Sequence, residues 1–332
     1  MAISQKRAVV AGASGFIGTR LVRDLQGRGY VVTQIGRSGP DARWGDAASI
    51  RALVDGSDVV INLAGKSVNA RYSDANRHEI LRSRTETTRE LHTAIANSNT
   101  PPRVWLNAST ATIYRYALDR PMTEEQGDEG TGFSSDVARE WERALFTGDL
   151  PATRRVALRM AIVLGDGPAT SLLFVLARLR LGGPQFDGPW FPHRRYRGIG
   201  SHPTGDGRAP MHRSRGRQKF SWIHIDDVAA SIGFILDNET VAGPVNLAAP
   251  TASDNRTLMA LLRRSVGVRI GLPAFRWMLE PAMWLLRTEP ELVLKSRWVE
   301  PRRLLDAGYS FIWTDLGAAL DDVAEPETRA QT

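Results

Sequence analysis

Near the start of the chain, Gly12-Ala13-Ser14-Gly15-Phe16-Ile17-Gly18 places three glycines at a spacing suited to phosphate binding. In such a loop the first glycine makes a tight turn, the second lets a pyrophosphate approach the backbone, and the third lets a helix pack closely on a strand. Both flanks fit. Arg7 to Ala11 is short, apolar and β-favouring, while Ile17, Leu21, Val22 and Leu25 recur at helical spacing. A helix starting here aims free N–H groups and the positive end of its dipole at the phosphates. Gly12, Ser14, Gly15, Phe16, Ile17 and Gly18 are therefore candidate nucleotide contacts. A second strand, Val31 to Ile35, ends at Gly36-Arg37-Ser38, with Arg37 nineteen residues after Gly18, where a dinucleotide's ribose is read. An acidic residue there would accept from the 2′-OH of NAD. An arginine fork suits a 2′-phosphate instead, so Arg37, with Ser38 beside it, predicts NADP (NADPH) in preference to NAD. The alternative is a solvated arginine at a strand end. A third apolar run, Val59-Val60-Ile61-Asn62-Leu63-Ala64-Gly65, lacks alternation and reads as a parallel strand buried on both faces. Leu63, Ala64 and Gly65 at its carboxyl end would let a cofactor pass.

Later motifs extend this pattern. Trp141-Glu142 after Phe133, Arg159 to Gly165, Phe220 to Asp227, Gly243 to Asn246 with Asn255-Arg256, and Pro301 to Tyr309 cover nearly the whole chain. With them the chain resembles the atypical extended short-chain dehydrogenase/reductases called epimerase family proteins, the SDR39U1-like group, which are NAD-dependent epimerase/dehydratase relatives with a C-terminal domain of DUF1731 type. The resemblance implies a Ser or Thr after one strand, and a Tyr followed four residues later by Lys on the next helix. There the serine positions a carbonyl or hydroxyl, the tyrosine transfers a proton and the lysine lowers its pKa. Here the strand is Val104 to Ala108, followed by Ser109-Thr110. The helix beginning at Phe133 has Ser134 and Ala138, or Phe133 and Val137 one residue earlier, where Tyr and Lys belong. Neither register supplies the proton donor. A Tyr-containing loop, Thr112 to Tyr116, matches the family pattern at Tyr114, with Arg115 in place of a glycine. Ser109 and Tyr114 are accordingly the candidate catalytic groups nearest the nicotinamide; Tyr114 closing a loop over the cofactor is the alternative. Arg84 matches a family arginine and is a candidate cofactor contact, or else a solvated residue on a helix whose apolar face carries Ile80, Leu91 and Ile95. His224 reads as structural, with Asp226 or Asp227 capping the following helix. No His, Asp or Glu spacing resembles a metal site.

These residues require an α/β architecture: a Rossmann doubly wound parallel sheet with a smaller, mainly helical C-terminal substrate lobe. Residues 1–165 plus 220–250 are expected to form the NADP-binding domain, with Phe220 to Leu247 returning to its sheet. Residues 166–219 plus 251–325 would form the substrate lobe, including a short C-terminal helical domain at about 272–322. Its helices are read at Thr170 to Gly183, Leu258 to Val266, Phe275 to Leu286, Glu291 to Trp298 and Leu316 to Val323. Trp277, Met278, Met283, Trp284 and Leu285 predict core or lid packing for the helix that carries them. Residues 187–217 lengthen the family pattern by about 25 residues, a loop rich in Pro (Pro189, Pro192, Pro203, Pro210) that reads as a flap over the substrate cleft or a disordered surface loop.

Composition bounds the rest. At 332 residues with 42% hydrophobic and 24% charged residues the chain has globular proportions. Cys 0 excludes disulfides, thiolate metal sites and cysteine nucleophiles. Met1 to Arg7 passes directly into the first apolar run, with no secretory leader expected, and no segment reads as membrane-spanning; a cytoplasmic protein, as monomer or homodimer, is the expectation. Of the net charge of +7, residues 187–217 carry +5, from seven arginines against two aspartates. Three of the six histidines (His193, His202, His212) lie there too. The excess is a local, anion-attracting feature, which makes nucleic acid an unlikely partner and favours a small-molecule substrate, anionic in this reading. The expected activity is that of an NADP-binding epimerase or reductase acting on a small carbonyl or alcohol. A non-catalytic NADP(H)-binding sensor or regulatory protein, lacking the Tyr-Lys pair, is the alternative.

Overall fold

The computed structural model describes residues 5–209, 212–285 and 289–324; Met1, Pro210 and Leu286, named above, and position 325 of the expected lobe fall outside the described residues. The strands are β1 (Arg7–Ala11), β2 (Val31–Gly36), β3 (Ala42–Arg43), β4 (Val59–Asn62), β5 (Val104–Thr110), β6 (Arg154–Met160), β7 (Ile162–Leu164), β8 (Gln185–Phe186), β9 (Lys219–Phe220), β10 (Trp222–His224), β11 (Gly243–Leu247), β12 (Ser253–Asp254) and β13 (Ala274–Phe275). The helices are α1 (Phe16–Gly27), α2 (Ala47–Val54), α3 (Asp74–Ala96), α4 (Phe133–Phe146), α5 (Pro168–Arg178), α6 (Ile225–Asp237), α7 (Asn255–Ser265), α8 (Arg276–Leu285), α9 (Glu291–Leu294), α10 (Arg302–Asp306) and α11 (Leu316–Ala324).

Seven strands form one parallel sheet in the order β11-β6-β5-β4-β1-β2-β3. The strand order reverses beside β1, between β1 and β4, which opens a crevice at the carboxyl ends of both. Successive residues of each strand feed opposite layers, as a period of two requires. Ala8, Val10, Val59 and Ile61 pack with Leu21 and Leu25 of α1 and Ile232 and Ile235 of α6. Val9, Ala11 and Val60 pack with Ile50 of α2, Leu91 and Ile95 of α3 and Leu145 of α4. Both faces are thus covered, which is why these strands are apolar throughout rather than alternating.

The expected return to the sheet is made by β11 alone, beside β6. β10 pairs instead with β7 in a separate two-stranded parallel sheet. Around it, α5, α7 and α11 bury Phe174, Leu258, Leu262, Leu316 and Leu320 against Trp222 and Leu164. The helix read from Glu291 to Trp298 stops at Leu294, because the next residues are taken by pairing: Phe220 bridges Arg297 and Met122 bridges Val299. The helix bearing the tryptophans does not turn them inward. Of the residues read as core or lid packing, Met283 is buried, whereas Trp277 and Trp284 are 66% and 59% exposed and take no part in a core. His224, rather than Asp226 or Asp227, caps α6, its Nδ1 accepting from the Asp226 N–H at 3.3 Å.

Candidate functional site

The glycine loop sits at the carboxyl end of β1. Gly12 has φ +80°, and a Cβ there would lie 2.8 Å from the Leu63 carbonyl carbon. At Gly18 a Cβ would stand 2.3 Å from the Gly12 carbonyl oxygen, so the third glycine sets the close approach of α1 to the loop. Gly15 is the N-cap of α1 and no side chain caps that end, which leaves its first N–H groups for a ligand. Above the loop lies a cleft of about 330 Å³. Its walls include Gly12, Gly15, Phe16, Ile17, Gly18, Leu63, Arg84 and Ser109, eight of the positions that sequence pattern and resemblance singled out. Ser14, Arg37, Ser38 and Gly65 are exposed and Ala64 is buried, and none of the five is part of the cleft wall. Arg37 follows the end of β2 and, among the described residues, makes no hydrogen bond or ion pair.

Arg84 is not a solvated residue. Its Nη1 donates to the carbonyls of Lys66 and Ile80, both at 2.9 Å, and its guanidinium lies 4.9 Å from the centre of the Trp141 ring. Among the described residues no carboxylate pairs with it, and burial pushes its pKa down to about 10. Two asparagines shape the floor nearby. Asn62 Oδ1 accepts from the Ala64 N–H at 3.0 Å and its Nδ2 donates to Asn107 Oδ1 at 2.8 Å, tying the ends of β4 and β5 together.

Ser109 and Tyr114 part company. Ser109 lines the cleft, but its hydroxyl donates to Glu142 Oε1 at 2.6 Å. Glu142 in turn accepts a bidentate pair from Arg159, at 2.8 and 2.7 Å. Tyr114 is not part of the cleft wall. After β5 the chain makes a single 3-10 turn, Ala111–Ile113, and Tyr114 passes under the loop into a buried cluster with Ile113, Met122 and Val299. Its hydroxyl accepts from Arg159 Nη1 and donates to Asn246 Oδ1, each at 2.8 Å. Burial pushes this phenol up against the opposing pull of Arg159, and its proton is engaged. The face of α4 toward the cleft carries Phe133, Ser134, Val137 and Trp141, so in neither register does this helix bring a tyrosine or a lysine to the cleft.

A second cavity, about 340 Å³, adjoins the first; Tyr72 and Phe133 wall both, their rings 4.6 Å apart and edge-on. Tyr72 precedes α3, and burial, with Glu291 and Glu289 nearby, pushes its phenol up so that it stays protonated. The residues sequence reasoning missed come from the far end of the chain. Lys295 lines the second cavity, its Nζ donating to the Thr112 carbonyl at 3.0 Å, and Arg297 lines the first. Their only signal was that Lys295 is one of four lysines in the chain, none of them on α4.

Residues 187–217 form one side of this second cavity through Asp187, Arg195, Tyr196 and His212, the last stacked on Tyr116 at 3.4 Å. Carboxylates of the surrounding helices hold the segment. Buried Asp136 accepts from the N–H groups of Ile199 (2.9 Å) and Thr204 (2.8 Å), and Glu140 from that of Ser201 (3.0 Å). Three of its seven arginines are neutralised in place, Arg195 by Glu280 and Glu289, Arg194 by Asp74 and Arg208 by Asp206, while Arg197, Arg213, Arg215 and Arg217 are exposed and, among the described residues, not paired with a carboxylate. Arg115 meets Asp119 and Asp128, and Lys295 meets Glu291. Within the second cavity, Asp187 Oδ2 and the Tyr116 hydroxyl are buried without a hydrogen-bond partner among the described residues. No group of three or more His, Asp or Glu among those residues is arranged to hold a metal.

Comparison with known proteins agrees with this geometry. Residues 8–133 match the model of the NAD dependent epimerase/dehydratase family, and residues 274–323 match DUF1731, a domain of unknown function. Epimerase family protein SDR39U1 of Bos taurus is 34% identical over 326 residues, covering 96% of this chain and 99% of that one. Epimerase family protein YfhF of Bacillus subtilis is 26% identical over 323 residues, covering 95% and 96%. The crystal structure of human SDR39U1 (isoform2) with NADPH superposes with a TM-score of 0.80 at 31% identity, covering 96% of this chain and 99% of that chain. Sheet order, glycine loop, C-terminal domain and full-length similarity together make the chain a member of the NAD(P)-dependent epimerase/dehydratase-like family, in the group of the SDR39U1 epimerase family proteins.

Proposed function

We propose that the chain binds NADP(H) in the cleft over the glycine loop and acts as an oxidoreductase or epimerase on a small carbonyl or alcohol held in the adjoining cavity. The observation that carries this reading is Arg84, a half-buried cation on the cleft wall with no carboxylate partner among the described residues, in the same cleft as a helix N-terminus that no described side chain caps. Such a pair lacks an anion, and a dinucleotide supplies one. Residues 1–165 with 220–250 serve as the nucleotide domain in this reading, and 166–219 with 251–325 as the substrate lobe. Gly12, Ser14, Gly15, Phe16, Ile17 and Gly18 cradle the pyrophosphate, Leu63, Ala64 and Gly65 flank the bound nucleotide, and Arg37 with Ser38 meets the 2′-phosphate. NADPH bound in human SDR39U1 supports the choice of nucleotide. A nicotinamide nucleotide supplies hydride transfer when bound. The protein's own part is to position the substrate: Tyr72, common to both cavities, donates a hydrogen bond to its oxygen, and Ser109, oriented by Glu142, fixes the opposite edge. With its arginines already paired, the second cavity suits a neutral molecule bearing a hydroxyl or amine donor for Asp187 Oδ2, rather than an anion. A non-catalytic NADP(H)-binding role is the second reading, favoured by the lack of a tyrosine and a lysine on α4 in either register.

Binding of NADPH and NADH, followed by fluorescence titration, tests the reading. Arg37→Ala should weaken NADPH by about tenfold or more and leave NADH nearly unchanged, one charge-assisted contact being lost. Arg84→Gln should weaken both. Arg84 carries its charge below about 10 in the free protein and sheds it as pH rises through that value. Affinity should therefore be full at neutral pH and fall as pH rises through about 10, a fall that Arg84→Gln abolishes. Undetectable NADPH binding, or equal loss of both nucleotides in Arg37→Ala, would refute the assignment. Hydride exchange into extract components from labelled NADPH, lost in Tyr72→Phe and Ser109→Ala, separates the enzyme from the sensor.

A further inference from the structure

Helix α8 is inside out. Its buried positions include the charged pair Arg276 and Glu280, whereas Trp277, Met278, Pro281, Ala282, Trp284 and Leu285 face outward. Physical cause lies in the segment beneath: Glu280 takes the charge of Arg195 and a hydrogen bond from Tyr196 at 3.2 Å, and Arg276 donates to the Gly188 carbonyl at 3.0 Å. With its polar side committed to the 187–217 segment, the helix presents its apolar side to the surroundings. That side does not stand alone. β13, directly before α8, pairs with β8, and the Leu272 N–H donates to the Arg180 carbonyl at 2.8 Å, which brings the end of α5 alongside. Leu179, Leu181, Ile270, Leu272 and Phe275 on these strips are all exposed, Ile270 at 69%. Scattered exposed leucines need no explanation, but a continuous run of tryptophan and aliphatic side chains on adjoining elements marks an interaction surface.

The charge around it selects the occupant. Gly167 to Phe186 and Asn255 to Leu279 contain seven arginines and no acidic residue. Arg178, Arg180 and Arg269 are exposed, and among the described residues none is paired with a carboxylate. Tryptophan and aliphatic side chains rimmed by unpaired arginines fit the boundary between lipid headgroups and acyl chains of an anionic bilayer. A second copy of the chain would instead bring the same arginine rim against itself. None of the described helices is long and apolar enough to cross a membrane, so the contact is with a surface. We infer that the α5–β13–α8 face is a peripheral docking surface for anionic lipid bilayers.

Flotation of the full chain with vesicles tests this. The protein should float with vesicles of equal parts phosphatidylglycerol and phosphatidylcholine, not with phosphatidylcholine alone, and high salt should release it. The triple variant Trp277→Ser, Trp284→Ser, Leu285→Ser should lower the bound fraction by about tenfold or more, as should Arg178→Glu with Arg180→Glu and Arg269→Glu. None of these residues lines either cavity, so NADPH titration and the melting temperature report whether each variant is folded. Absence of flotation, flotation indifferent to either set of variants, or a dimer that the apolar variant converts to monomer would overturn the inference.

Discussion

Glu142 and Arg159 are 8% and 7% exposed, and between them they hold Ser109 on one side and Tyr114 on the other. A buried ion pair adds little net stability, because desolvation offsets most of its attraction, but removing one partner strands the other charge. Glu142→Gln should therefore destabilise the fold by about 3–5 kcal/mol, read as a shift of the urea midpoint. Tyr114→Phe leaves Arg159 Nη1 and Asn246 Oδ1 short of a partner and should cost about 1–3 kcal/mol while leaving NADPH affinity unchanged. Stability unchanged in Tyr114→Phe would refute this structural role. The glycine loop was legible in the sequence because its constraint is local: Gly12 and Gly18 are dictated by atoms within the same turn and the neighbouring strand end. The destination of the Tyr114 hydroxyl was not, since Asn246 lies 132 residues away on β11 and no local spacing encodes that meeting.

At the scale of elements, the 187–217 segment shows how the part of a basic stretch that meets a cavity loses its meaning as free charge. Read as a sequence, its arginines have no visible partners; folded, Asp74 of α3 receives Arg194, and Glu280 of α8 with Glu289 receives Arg195. The apolar patterns of α1, α3 and the central strands announced those elements well, because the helices bury one regular face and the strands both. α8 misled for the same reason in reverse: its aromatic face follows helical spacing, but its buried side is fixed by ions that pattern reading assigns to solvent. Asp136 is the principal clamp, accepting from Ile199 and from both the N–H and hydroxyl of Thr204. Asp136→Ala leaves buried donors without an acceptor, at about 2–4 kcal/mol in total. The effect should concentrate in residues 197–205, detected as faster amide exchange and new proteolytic cleavage there, with exchange in β1, β4 and β5 unchanged. Uniform acceleration across the sheet would show that the segment is part of the global fold rather than a wall fastened to it.

For the whole molecule, what matters is how the last part of the chain is joined to the nucleotide-binding sheet. Asp227, fully buried at the start of α6, accepts from the Tyr309 hydroxyl at 3.0 Å and from the N–H groups of Ile312 and Trp313 at 2.8 and 2.9 Å. Beyond that latch, α11 buries Leu316, Ala319 and Leu320 in the cluster that contains Trp222 of β10. The same C-terminal region delivers Lys295 and Arg297 to the cavities, held there because Ser221 accepts from the Val299 N–H and donates to the Arg297 carbonyl, both at 2.8 Å. Leu304 and Tyr309 also lie in the cluster of Val10, Ile61 and Leu106, so sheet and C-terminal region share a core and are expected to unfold together. Asp227→Ala removes the acceptor of three donors at once, a loss of about 3 kcal/mol or more. Because Leu316 and Leu320 share their cluster with Trp222, the cost should lower the midpoint of one cooperative transition, followed alike by tryptophan fluorescence and far-ultraviolet circular dichroism. Asp227→Asn, which keeps one acceptor oxygen, should recover part of it. Two separated transitions in Asp227→Ala, the earlier one confined to residues 309–324, would mean that the C-terminal helix is a module docked on the sheet and that the nucleotide cleft stands without it.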